Sequence, residues 1–178
     1  MGKTIWFTMT SLDGFVTDRQ HNINFHTPSE EVHQYINKLN ESNTVMILDR
    51  QGYEIMKFWD EPPESDLQYE IVRVYAEQWK HIKKIVVGDA GVIEGKNYTL
   101  WNEVTAERID ALLAEESGDI IVGSSPLAWE FFRLKKLSEI QIITVPILLG
   151  EGDRNYEDSG EVPLELINHK IFEDGWTY

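Results

Sequence analysis

Cysteine is absent from the 178 residues. Its absence excludes a disulfide scaffold, a thiolate zinc site, an iron–sulfur cluster and a cysteine nucleophile. It also excludes the zinc deaminases that hold their metal with paired cysteines. Basic residues are scarce: 16 Lys and Arg face 31 Asp and Glu, for a formal charge of −15. Nucleic acid and anionic membrane are therefore not expected as partners, because Lys and Arg on phosphate hold both. Long apolar runs are missing as well. The longest, residues 140–149, is broken by Gln141, Thr144 and Pro146 and reaches about half the length of a bilayer span. The first residues carry no apolar signal-peptide core, and Trp6 stands where a myristoylation motif needs Ser or Thr. A cytoplasmic protein is expected. No repeat, low-complexity tract or linker interrupts the chain, so one domain over residues 1–178 is expected.

What is present suffices for a core: 42% hydrophobic and 11% aromatic residues, with six Trp, exclude intrinsic disorder. Residues 3–8 read as a strand that runs into the loop Thr10-Ser-Leu-Asp-Gly14. Thr27 as N-cap, Pro28 in the first turn and Glu30 closing a capping box predict a helix whose face is Val32, Ile36 and Leu39. A strand is predicted over 44–48. A helix is predicted over 65–81, with Leu67, Ile71, Val74 and Tyr75 on one face. A strand over 84–87 precedes a glycine-rich connection over 88–95. Thr105 caps a helix carrying Ile109, Leu112 and Leu113. A strand over 119–122 enters Gly123-Ser-Ser-Pro126, where Ser125 caps and Pro126 opens a helix to Leu134. Strands follow over 139–149, 164–168 and 171–178. Alternation to Leu134 predicts parallel crossover units, and the consecutive strands after it predict antiparallel pairing.

The segment Asp119-Ile-Ile-Val-Gly-Ser-Ser-Pro-Leu-Ala128 carries the most chemistry. Its small-residue turn lies at a helix N-terminus, where free N–H groups and the helix dipole favour phosphate. An ordinary capped turn is the other reading, and the turn matches neither standard nucleotide fingerprint. Gly123→Val is expected to abolish dinucleotide binding there without changing the melting temperature. Arg50, after the strand over 44–48, is a second phosphate candidate or a solvated charge. Arg133, Lys135 and Lys136 complement a helix C-terminus. No histidine spacing, calcium loop or serine elbow supports a metal or hydrolytic site. His33 reads as a surface or boundary residue.

These pieces, in this order, resemble the dihydrofolate-reductase-like family that includes the reductase domain of riboflavin biosynthesis. The likeness rests on Ser11-Leu-Asp-Gly-Phe15, Leu48-Asp-Arg-Gln-Gly-Tyr-Glu-Ile-Met56 with Phe58-Trp59, Lys84-Ile-Val-Val87, the segment 119–128, and Val145-Pro-Ile-Leu-Leu-Gly-Glu-Gly152. It implies a three-layer α/β/α fold with a mixed, mostly parallel central sheet and antiparallel C-terminal strands. It implies NADPH or NADH across the carboxyl ends of the strands, where open α/β sheets bind ligands. Gly123, Ser124, Ser125, Pro126 and Leu127 would hold the pyrophosphate, Arg50 and Gln51 the second phosphate segment, and Gly88 and Asp89 the ribose turn. Ser11 and Gly14 would lie near nicotinamide and substrate, a pteridine or pyrimidine. Glu30 matches the early-helix acid of such reductases, with the capping box as its other reading, and Asp13 is the alternative acid. The chain departs from the family at Asp49, where glycine is usual, at Gly52, where threonine is common, and at Gly88-Asp89, where serine and a basic residue suit a 2′-phosphate. Asp89 therefore predicts NADH over NADPH. A catalytically silent ligand-binding protein of the same fold is the rival reading. A homodimer is expected near Trp176 and Tyr178, as aromatic residues favour interface cores.

Overall fold

In the computed structural model, six strands form one sheet in the order β4-β3-β2-β5-β1-β6. They are β1 (Thr4–Ser11), β2 (Asn43–Leu48), β3 (Lys83–Val87), β4 (Tyr98–Trp101), β5 (Asp119–Val122) and β6 (Glu139–Val145). The α-helices are α1 (Glu30–Leu39), α2 (Arg50–Met56), α3 (Glu70–His81), α4 (Ala106–Glu115) and α5 (Ser125–Arg133). The structure describes residues 2–89, 91, 93 and 97–178. The rest of the glycine-rich connection expected over 88–95 lies outside the described residues. The architecture is three-layer α/β, as expected.

The chain divides into two units, Met1–Trp6 with Gln34–Ile140, and Phe7–His33 with Gln141–Tyr178. In the first, β2 pairs in parallel with both β3 and β5, β5 with β1, and β3 with β4. Val45, Ile47, Val86, Ile120 and Val122 are fully buried. Continuous β-branched runs of this kind belong to parallel strands covered on both faces. Trp6 meets Trp129 edge-to-face at 5.5 Å, and Ile109, Leu112, Leu127 and Phe131 complete the same core. Thr105 caps α4 as expected, its hydroxyl oxygen accepting from the Arg108 N–H at 3.3 Å.

Several local expectations are corrected in this unit. α2 and β4 are additional elements; a seven-residue helix containing glycine, and a strand with Leu100 exposed, have little periodic signal. α3 starts at Glu70, because backbone bonds to Pro63 and Asp66 fold residues 63–69 into turns. Its buried face is Tyr75, Ala76 and Trp79, while Val74 is exposed. Ser124, not Ser125, is the N-cap of α5. That helix closes with Lys135 at φ +58°, its N–H bonded to Phe132 O and the Lys136 N–H to Phe131 O. This is the paired bond pattern of a Schellman stop.

In the second unit, the Leu12 N–H reaches Ile147 O at 2.9 Å, the Val16 N–H reaches Asp153 O at 2.8 Å, and the Thr8 hydroxyl donates to Asn155 at 3.0 Å. The start of α1 differs from expectation. Thr27 donates its hydroxyl to Asn24 O at 2.9 Å, whereas Ser29 O accepts from the His33 N–H at 2.9 Å. Ser29 rather than Thr27 therefore occupies the cap position. His33 is buried, and burial pushes its imidazole below the ordinary range. β6 stops before Pro146, which lacks the N–H a ladder needs. The two C-terminal strands do not form. Among the described residues, 156–170 adopt neither helix nor strand, and antiparallel pairing survives only as bridges such as Ile171–Thr177. Leu164 and Leu166 are 73% and 79% exposed, so their alternation has no core face to bury.

Candidate functional site

Parallel pairing places the end of β2 against the end of β5, with Ile47 opposite Val122. Both strands turn there into helices. After β2, Asp49 caps α2: its Oδ1 accepts from the Gly52 N–H at 2.7 Å, and its carbonyl accepts from the Tyr53 N–H at 2.9 Å. After β5, the Gly123 N–H returns to Ile47 O at 3.0 Å. Ser124 O then accepts from the Ala128 N–H at 2.9 Å and opens α5. The Ser124 hydroxyl makes no capping bond to its own helix. It donates instead to Asp49 Oδ2, so one carboxylate joins the two strand-to-helix turns.

Gly52 belongs to the same device. A Cβ at that position would sit 3.2 Å from Asp49 Oδ1 and 3.2 Å from Leu48 Cδ2. Two departures from the resembled family, Asp49 and Gly52, are thus one local solution: a carboxylate cap over a residue without a side chain. Arg50 is exposed, paired with Glu54 at 2.6 Å, and lies over the Tyr53 ring at 5.4 Å. Gln51 is exposed beside it, Ser125 and Pro126 form the first turn of α5, and Leu127 packs into the core. At the end of β3, Gly88 has φ +97° and its N–H bonds Trp101 O at 2.8 Å. Asp89 is exposed, its Oδ1 3.4 Å from the Gly91 N.

The candidates in the second unit gather around Asp13. Its carboxylate accepts from the Ser11 hydroxyl at 2.7 Å, the Leu149 N–H at 3.1 Å and the Gly150 N–H at 2.7 Å. Gly14, at φ +82°, closes the turn by donating to Ser11 O at 3.0 Å. The Ser11 hydroxyl and the two backbone N–H groups hold Asp13 down at about 2. A carboxylate so held is stabilised in its charged form, which argues against Asp13 as the acid. It is a loop clasp. Glu30 is the exposed first residue of α1, directly after the Ser29 cap.

One cluster escaped the sequence reading. Lys84 in β3 is 1% exposed, with its ammonium on Trp79 O and over the Trp79 and Tyr98 rings at 4.7 and 5.6 Å. Asp60 accepts from Trp79 Nε1 at 2.8 Å and from the Tyr98 hydroxyl at 3.1 Å. Burial pushes the Lys84 ammonium below its ordinary range. A lysine beginning the run Lys84-Ile-Val-Val87 was the signal. Among the described residues no three metal-ligating side chains converge, and no helix is long and apolar enough to cross a membrane.

The sheet and its turns define an open α/β domain with its small-residue turns at the carboxyl ends of parallel strands. Residues 3–178 match the RibD C-terminal domain, and the chain belongs to that family. Among solved structures it is similar to a riboflavin biosynthesis protein of Shewanella sp. PV-4, with TM-score 0.76 and 18% identity over 98% of this chain and 95% of that one. It is also similar to the diaminohydroxyphosphoribosylaminopyrimidine deaminase/5-amino-6-(5-phosphoribosylamino)uracil reductase of Thermotoga maritima (TM-score 0.64, 12% identity, 99% of this chain). Acinetobacter baumannii RibD gives a TM-score of 0.71 at 10% identity over 99% of this chain. The chain spans 55% and 56% of the length of these last two proteins. No curated protein matches it.

Proposed function

We propose that this protein reduces a small flat heterocycle, a pteridine or a pyrimidine such as 5-amino-6-(5-phosphoribosylamino)uracil, with NADPH or NADH. The observation that carries this reading is the family match over residues 3–178, which takes in the turns at Arg50 and Gly123 and the loop at Ser11–Gly14. Glu30 is the residue proposed to donate the proton. A nicotinamide cofactor would supply the hydride.

The turn fits a pyrophosphate only if Asp49 withdraws. The Gly123 N–H is committed to Ile47, the Ser124 hydroxyl to Asp49, and the Arg50 guanidinium to Glu54. The Arg50–Glu54 pair is half-exposed and exchanges readily with solvent, whereas a carboxylate repels phosphate. This observation favours a second reading, a silent protein that binds the heterocycle but not the dinucleotide. Titration with NADPH, NADH and FMN, followed by tryptophan fluorescence, separates the two. Cofactor binding and oxidation in the presence of a pteridine or pyrimidine supports the reductase. Heterocycle binding with no response to any of the three supports the silent protein.

Asp89 sets the expected cofactor choice. Its exposed carboxylate suits free ribose hydroxyls and repels a 2′-phosphate. NADH should bind about tenfold more tightly than NADPH, or about 1.4 kcal/mol, and Asp89→Arg should reverse the order. Self-association belongs to the same proposal, but its surface shifts. Trp176 is buried, while Leu164, Leu166, Ile167 and Ile171 are exposed. Sedimentation at micromolar concentration tests for the dimer, and a monomer alone rejects it.

A further inference from the structure

We propose that Asp49 is an internal competitor for anionic ligands at the turn between β5 and α5, and that it sets how tightly this protein holds a dinucleotide. The inference rests on the reading of the Gly123 turn as the cofactor side. Three features support it. The carboxylate engages two donors beside that turn, taking the Gly52 N–H on one oxygen and the Ser124 hydroxyl on the other. Those donors come from two different strand-to-helix turns, so Asp49 sits where the two converge. Gly52 leaves the space the carboxylate needs, since a side chain there would press on Asp49 Oδ1 at 3.2 Å.

The physical consequence is a competition. A phosphate arriving at the turn must take the Ser124 hydroxyl from a group of its own charge sign, and that charge remains beside it as the α2 cap. Arg50 and Lys57 both pair with Glu54, so the nearest positive charge is already partly engaged and directed at that glutamate. The protein as a whole carries −15. A neutral ligand, such as a heterocycle or a nucleoside without phosphate, meets no such repulsion and can use the same carboxylate as a hydrogen-bond acceptor. Asp49 therefore discriminates by charge at a place where a glycine would not.

The test compares the unmodified protein with Asp49→Gly and Asp49→Asn, using calorimetric titration with NADPH, with NADH and with inorganic pyrophosphate alone. Glycine is an acceptable N-cap, so Asp49→Gly should fold; its near-ultraviolet circular dichroism checks this. Asp49→Asn keeps an oxygen for the cap and removes the charge. Both variants should bind all three ligands more tightly than the unmodified protein. The expected gain is at least tenfold for Asp49→Gly and smaller for Asp49→Asn. Equal, measurable binding by all three proteins would overturn the competition and leave the reductase reading intact. Tightening for pyrophosphate but not for the dinucleotides would uphold the competition and reject that reading. No binding by any of the proteins would overturn both.

Discussion

Asp13 and Asp49 are built from the same parts and do different work. Each accepts from a backbone N–H and a serine hydroxyl, and each follows a buried strand. Asp13 takes two of its donors from the backbone of Leu149 and Gly150, far along the chain, and so ties one loop to another. Asp49 takes its backbone donor from its own helix, three residues on, and its distant partner is only a side chain. The first arrangement fixes a path of the main chain. The second caps its own helix and reaches the neighbouring turn only through the Ser124 hydroxyl. Carboxylates with similar local chemistry thus separate into a structural clasp and a removable occupant according to where the donors come from.

Glycine substitutions should show the difference at its largest. Gly152, in the loop that Asp13 anchors, has φ +144°, and a Cβ there would lie 1.9 Å from Thr17 O and 2.9 Å from Thr17 C. Those are backbone atoms and cannot step aside. Gly152→Ala should cost about 3 kcal/mol or more, the class of effect reserved for strained backbone and forced overlap. Urea unfolding measures it, and a loss below about 1 kcal/mol would show that this loop yields as easily as the Asp49 turn.

Next comes the acid response of the clasp. Asp13 sits at about 2 in the folded protein against an ordinary 3.8. A lowered carboxylate value means that the unfolded chain binds the proton first as pH falls. The stabilisation is therefore complete above about 3.8 and disappears as pH drops toward 2. Asp13→Asn lacks this titration, so the gap in melting temperature between the two proteins should be widest near neutrality and narrow across that window. A gap that stays constant from neutrality to pH 2 would assign the acid sensitivity to other groups.

The elements most legible in the sequence are those whose burial is complete. β2 and β5 read as strands because Val45, Ile47, Ile120 and Val122 are enclosed on both faces, and α4 because Thr105 precedes Ile109 and Leu112 at the right spacing. The C-terminal strands did not form because alternation in Val162, Leu164 and Leu166 states a local preference without supplying a surface to cover it. The α1 cap moved from Thr27 to Ser29 because a short 3-10 turn at Asn24–His26 engages the Thr27 hydroxyl first. In the candidate site, the position of the Gly123 turn was legible and its chemistry was not. The bond that defines it joins residues 75 apart, and Asp49 reads along the chain only as a charge beside Arg50. Lys84 was hidden likewise, since its partners Trp79 and Tyr98 come from a helix and a strand on either side of β3.

A smaller effect is expected at Gly123. A Cβ there would meet Leu48 Cδ2 at 3.1 Å, with Ile47 O at 3.8 Å. The close atom ends a side chain, so the strain is modest, but Leu48 is itself packed at 1% exposure. Gly123→Val should destabilise by about 1–3 kcal/mol, as overpacking does. The contact argues against a nearly unchanged melting temperature, and any loss of ligand binding in this variant has to be read against its stability. A melting temperature equal to that of the unmodified protein would mean that Leu48 swings clear.

The smallest effect should be at Asp49 itself. An N-cap aspartate replaced by alanine leaves a helix N–H without a partner and costs about 1 kcal/mol, whereas glycine exposes that N–H to water and costs a few tenths. The Ser124 hydroxyl also loses its acceptor; Ser124 is buried but borders the exposed Gly123, so a water in the space left by the carboxylate can accept its hydrogen bond. Asp49→Gly should therefore fall within about 1 kcal/mol of the unmodified protein in urea, and Asp49→Ala should be the less stable of the two. That order follows from a cap whose worth is local. If Asp49→Gly instead lost as much as Gly152→Ala, the carboxylate would be holding the β2 and β5 turns together. The contrast with Asp13 would then collapse, because a residue that the turn cannot lose is not one that a ligand can displace.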